Sequence, residues 1–181
     1  MNRGQYWERP EGGEPDLVPE VDRDGDRWDP DWPALGVSWH DAQAFVAWHS
    51  EQTGAAHALP TDLQWEKAAR GVDGRLHPWG DRFDPTLCKM RLSRPGRHFA
   101  EPIGSFPTDV GVYGAHDMAG SIRDWCGDKI MLGESEYRPV RGGSWFELPE
   151  LCRGTARFLV LPWLVNGSCG FRLARKAPRP G

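Results

Sequence analysis

The chain has 181 residues, a formal net charge of −4, 39% hydrophobic residues and ten Trp. That apolar content excludes an intrinsically disordered chain, because it can bury enough surface to offset conformational entropy. The charge balance excludes nucleic-acid binding by bulk attraction, and no apolar run reaches bilayer length, so neither nucleic acid nor membrane is an expected partner. The first segment, "MNRGQYWERPEGGEPD", carries no hydrophobic leader, which predicts a cytoplasmic protein. Residues 1 to about 36 are polar and rich in Pro, Gly and acids. Within them "DRDGDRWDPDW" is acidic but lacks the spacing and closing Glu of a helix–loop–helix calcium site, so it reads as a surface loop pinned by Trp28 and Trp32.

The first helix is predicted in "VSWHDAQAFVAWHSEQTG". Ser38 caps its start, Gly54 stops it, and Ala42, Phe45, Val46 and His49 share a face. The second is predicted in "LPTDLQWEKAARG", where Thr61 and Gln64 make a capping box and Gly71 ends the run. Leu63, Trp65, Ala68 and Ala69 form its apolar side. Beyond it the chain is punctuated by Gly and Pro, and "PIGSF" and "PVRGGSW" read as short strands. Two helices followed by short strands predict an α+β fold in a single domain over 1–181, with 176–181 as a solvated basic tail.

General motif chemistry is sparse. Cys88, Cys126, Cys152 and Cys169 form no CxxC pair and read as buried free thiols. The six histidines, His40, His49, His57, His77, His98 and His116, lack facial-triad spacing. "GVYGAHDMAG" has no phosphate-loop Lys, "GVDGRLHPWG" is no dinucleotide fingerprint, and no GxSxG elbow occurs.

Several pieces in order carry a resemblance: "PALGVSWHDAQAFVAWHSEQTG", "ALPTDLQWEKAARGVDGRLHPWGD", "IGSFPTDVGVYGAHDMAGSIRDWCGD", "VRGGSW", "CRGTAR" and "GFRLAR". From about Trp32 to Arg175 the chain resembles the formylglycine-generating enzyme (sulfatase-modifying factor) superfamily. The resemblance implies an irregular C-type lectin-like fold with two main helices, short antiparallel strands and long ordered loops. "YWERPEGG", "VDRDGDRWDPDW" and "VYGAHDMAGSIRDW" are most similar to a bacterial subgroup fused behind serine/threonine kinases. This implies an upstream kinase or other signalling domain, and the N-terminal part of the family domain is expected to be missing.

In that family, copper held by two cysteine thiolates after the Gly-Gly-Ser turn oxidises a client cysteine. Counting from Gly142, Gly143 and Ser144, the first cysteine position falls on Glu147 and the second on Cys152. A carboxylate is a poor ligand for Cu(I), so no copper is expected. Where the family has Trp-Glu-Trp, this chain has Arg123, Asp124 and Trp125. Ser144, Glu147 and Cys152 then read as remnants of a catalytic site, and catalysis is not expected. Cys152 stays open as a reactive thiol, because Arg153 and Arg157 lie nearby in sequence and can lower a thiol pKa.

The resemblance also implies a structural calcium at Asp117, Gly120, Ile122 and Asp124. Ser121 and the shorter Asp124 depart from its pattern, and both aspartates can instead cap local backbone. After Cys152 the usual polar loop becomes "RFLVLPWLVNG". A protein- or peptide-binding patch is expected from Trp145, Phe146, Glu147, Leu148, Leu151, Phe158, Leu159, Val160, Leu161, Trp163 and Leu164. The open alternative is that this run is a buried strand. A further family use, the variable ligand-binding proteins of diversity-generating retroelements, places its variable side chains in the same region. The expected function is a non-catalytic binding module, with a divergent Cys152 oxidoreductase or a retroelement variable protein as alternatives.

Overall fold

Capping chemistry sets where the first two elements begin. In a computed structural model describing residues 30–96 and 98–175, Ser38 accepts from the Asp41 N–H while Asp41 accepts from the Ser38 N–H. Helix α1 (Trp39–Thr53) follows and ends on Gly54 in the left-handed region. Thr61 and Gln64 repeat the reciprocal cap for α2 (Asp62–Arg70), after the short strand β1 (His57–Ala58). Both caps and both stops match the sequence expectation. Trp28 and residues 176–181 lie outside the described residues.

The remaining strands are β2 (Arg123–Trp125), β3 (Ile130–Leu132), β4 (Ser135–Arg141), β5 (Arg157–Val160), β6 (Cys169–Gly170) and β7 (Ala174–Arg175). They form a two-stranded sheet, β1–β7, and a five-stranded sheet ordered β3-β4-β2-β6, with β5 also on β4. All pairs are antiparallel except β2–β6. The architecture is α+β with long loops. Two expectations change. "PIGSF" is a turn, not a strand, and in "PVRGGSW" the strand ends at Arg141 before the glycines.

From Pro33 onward the chain is one compact unit. Its core has three adjoining parts. Ala42, Val46, Leu59, Trp125, Val140 and Cys169 pack between α1 and the large sheet. Trp65, Ala69, Met118 and Cys126 pack under α2. Cys88, Met90, Ala119 and Cys152 pack below the Gly-Gly-Ser turn. Full burial of an aromatic such as Trp65 contributes about 3 kcal/mol. The face of α1 is narrower than expected: Phe45 stacks on His49 at the surface, and only Ala42 and Val46 are buried. In α2, Leu63 is 77% exposed and leaves the burial to Trp65 and Ala69.

The tryptophans also act as hydrogen-bonding plugs. The indole N–H of Trp39 donates to the Cys126 carbonyl, that of Trp125 to the Val37 carbonyl, and that of Trp65 to Asp124.

Candidate functional site

The Gly-Gly-Ser turn follows from β4 and leads to a short helical turn, Pro149–Cys152. Gly143 has φ +71, and a Cβ there would stand 2.5 Å from the Leu151 carbonyl oxygen and 3.0 Å from the Cys152 sulfur. Only glycine lets the turn close this tightly over Cys152. The turn carries Trp145, Phe146 and Glu147 across the end of β2, where Arg123 rises.

Glu147 is 4% exposed and lies inside the surface. Its carboxylate accepts from Arg123 Nη2, and Ser144 Oγ donates to it at 3.2 Å. Arg123 Nη1 donates to Ser168 Oγ at 3.2 Å. The guanidinium lies 4.5 Å from the Phe158 ring centroid and 5.7 Å from that of Phe146, a cation–π arrangement. Trp145 meets Phe99 and Phe146 at 5.4 and 5.1 Å between centroids. Two buried donors here, Trp145 Nε1 and Arg123 Nε, have no hydrogen-bond partner among the described residues. His57 Nδ1, His77 Nδ1 and Arg138 Nε, elsewhere in the fold, share that status.

The expected patch splits into two kinds of residue. Phe146, Leu148 and Trp163 are exposed at 39%, 47% and 54%. Leu151, Leu159, Leu161 and Leu164 are half-buried. Phe158 and Val160 pack, partly buried, against the Trp125–Val140 core as part of β5, so that part of the run is a half-buried strand. Pairing with β4 decides this, and an apolar run alone does not reveal a pairing partner. Glu147 is not a surface contact, because Arg123 claims it.

Cys152 is fully buried, and so are Cys88, Cys126 and Cys169; all four are free. Arg157 does not serve Cys152: its Nη1 donates to Asp62 at 2.8 Å. Arg153 is exposed. The neighbour of Cys152 is instead Cys88, whose thiol is pushed up by hydrogen bonding with Cys152 and by burial.

At the expected calcium turn, Asp117 and Ser121 both have positive φ, 53 and 58. Asp124 accepts from Trp65 Nε1 at 2.8 Å and from Arg172 Nε at 2.5 Å. Arg172 also donates to the carbonyls of His116 and Asp117 at 3.1 and 3.0 Å. The Asp117 carboxylate accepts from the Gly104 N–H at 2.9 Å. Among the described residues no group of three or more His, Cys, Asp or Glu side chains is placed to hold a metal ion.

Sequence reasoning missed Phe99, Cys88 and the role of Arg123. A signal for Arg123 existed: two departures from the family pattern, Arg123 and Glu147, introduce opposite charges.

Comparison with known proteins gives a consistent picture. The model of the sulfatase-modifying factor enzyme 1-like domain matches residues 2–177. An inactive C-alpha-formylglycine-generating enzyme 2 from Bos taurus is 30% identical over 83% of this chain and 52% of its own length. The serine/threonine-protein kinase pkn1 of Chlamydia caviae is 31% identical over 79% of this chain and 24% of its own length. The chain thus spans about half the length of the first relative and a quarter of the second. PvdO from Pseudomonas aeruginosa superposes with a TM-score of 0.74 at 25% identity, covering 84% of this chain and 65% of that one. Treponema denticola variable protein 1 does so at 0.71 and 19% identity, covering 87% and 77%, which shows a shared fold.

Proposed function

The chain belongs to the sulfatase-modifying factor enzyme 1-like family, and on that premise we propose that it is a non-catalytic module that binds a protein or peptide around Trp145 and Arg123. The observation carrying this reading is the buried Arg123–Glu147 pair. A two-thiolate copper site needs a second soft ligand beside Cys152. Position 147 instead supplies a carboxylate already neutralised by a guanidinium. The partner side of the reading rests on the exposed Phe146 and Leu148 beside the half-buried Trp145, an apolar surface at the rim of the Arg123–Glu147 pair. A peptide offers backbone carbonyls and apolar side chains to such a surface.

The relative named as inactive agrees with a loss of catalysis. The similarity to pkn1 supports a place in a kinase-linked recognition system. For calcium the donor set is thin. Asp124 is engaged by Arg172, leaving Asp117 and main-chain carbonyls against the six to eight oxygens calcium takes. We therefore assign the ordering of that turn to Arg172.

A divergent thiol oxidoreductase is the second reading, favoured by the contact of Cys88 with Cys152 and opposed by the complete burial of both. Selection from a displayed peptide library tests the binding reading. Wild-type protein enriches a peptide class, and Phe146→Asp loses it while melting at the wild-type temperature. Stoichiometric copper bound through Cys152, with oxidation of a cysteine-containing peptide, would establish an enzyme instead.

A further inference from the structure

We propose that Cys88 and Cys152 are the two halves of an intramolecular disulfide that ties the loop after Pro85–Leu87 to the loop below the Gly-Gly-Ser turn. Cys88 follows the helical turn Pro85–Leu87, and Cys152 closes the turn Pro149–Cys152. Their side chains share one fully buried cluster with Met90 and Ala119. The other two thiols are elsewhere: Cys126 packs under α2 with Trp65, and Cys169 packs with Trp125 and Val140. Partner choice is therefore fixed by the fold.

The two loops are already registered. The Arg91 N–H donates to the Glu147 carbonyl at 3.0 Å, and Ser121 bridges them, its N–H donating to the Lys89 carbonyl at 2.7 Å and its carbonyl accepting from the Trp145 N–H at 2.8 Å. The linkage would hold the floor under Trp145 and Glu147. It concerns scaffold, and it stands or falls independently of the binding reading above.

The chemistry is thiol–disulfide exchange with a low-molecular-weight disulfide such as oxidised glutathione. One protein thiol loses its proton and attacks the glutathione disulfide, and one glutathione leaves. The second protein thiol then loses its proton and attacks the mixed disulfide, releasing the second glutathione. Two protein thiols lose two electrons and two protons, and one glutathione disulfide gains them. Burial and mutual hydrogen bonding disfavour the thiolate at Cys88, so exchange is slow and proceeds through local opening.

The test is incubation of the folded full chain with oxidised glutathione, then alkylation, digestion and peptide mapping by mass spectrometry. The expected result is an intact mass lower by two hydrogens and a linked peptide pair holding Cys88 and Cys152. The oxidised protein should melt on the order of 10 °C higher, reversibly with dithiothreitol. Cys126→Ser should behave as wild type, and Cys152→Ala should form no cross-link and show no rise. Should Cys152→Ala fail to fold, the peptide map of the wild type decides alone. A lasting glutathione adduct on Cys88 or Cys152, a linkage through Cys126 or Cys169, or four thiols still free after prolonged warming with oxidant would overturn the proposal.

Discussion

Arg141 and Arg123 are both arginines held inside the surface by a carboxylate, and they serve different ends. Arg141 donates from Nε to Asp62, from Nη2 to Glu66 at 2.8 Å and from Nη1 to the Gly154 carbonyl at 3.3 Å. Every face of that guanidinium is spent on joining α2, β4 and the loop at Gly154. Arg123 has one carboxylate, one hydroxyl, two aromatic rings and the Cys169 thiol around it, and its Nε has no hydrogen-bond partner among the described residues. The tryptophans divide the same way. Trp39, Trp65 and Trp125 have satisfied indoles, and the Trp145 indole N–H has no partner among the described residues. The Arg141 network joins three scaffold elements, whereas Arg123 and Trp145 sit beside the exposed apolar side chains of Phe146 and Leu148.

Removing Arg141 is the hardest blow to this contrast. Arg141→Ala leaves Asp62 and Glu66 without their shared cation and should cost about 3–5 kcal/mol in denaturant unfolding. A cost near zero would erase the distinction between the two arginines. Phe158→Ala comes next, at about 3 kcal/mol, because Phe158 packs on the core as well as on Arg123. Glu147→Gln should cost about 1–2 kcal/mol by removing the charge opposite Arg123, and it should weaken peptide capture by disordering the guanidinium.

A pH experiment adds a carboxylate of a third kind. Asp109 is buried, accepts from the Met118 and Ala119 N–H groups, and forms no ion pair among the described residues. Burial pushes its pKa from the ordinary 3.8 up to about 8. The folded state then binds a proton that the unfolded state has released, so this group's contribution to stability falls as pH rises from about 4 to about 8. Asp62 acts oppositely. Burial opposes its ionisation, but hydrogen bonds from Arg141 and Arg157 hold its pKa below the ordinary value, so its contribution is lost only in acid. Asp109→Asn should flatten the decline between pH 4 and 8 in thermal melts, and a decline unchanged in that variant would contradict it. The smallest effect belongs to the exposed residues: Phe146→Asp and Trp163→Asp should each shift stability by less than about 0.5 kcal/mol.

The helices and their boundaries were legible because capping is local: Ser38 with Asp41 and Thr61 with Gln64 lie within one turn of each other. The family resemblance carried the fold class beyond what two helices and scattered apolar pieces could support. Contacts between distant segments were not legible. Nothing in the spacing of Cys88 and Cys152 signals that they share a cluster. The run from Phe158 to Trp163 was ambiguous because strand burial depends on β4 pairing. At Glu147 the sequence showed a lost thiolate, and only the fold joined that loss to Arg123.

The measurement that tests the central claim most directly is peptide-library selection on wild type, Phe146→Asp and Arg123→Met, with melting temperatures taken on each. The account predicts a discrete peptide class captured by wild type, lost in Phe146→Asp at unchanged stability, and weakened in Arg123→Met. Equal capture by Phe146→Asp and wild type, or no enrichment by folded wild type, would contradict a binding surface built on Trp145 and Arg123.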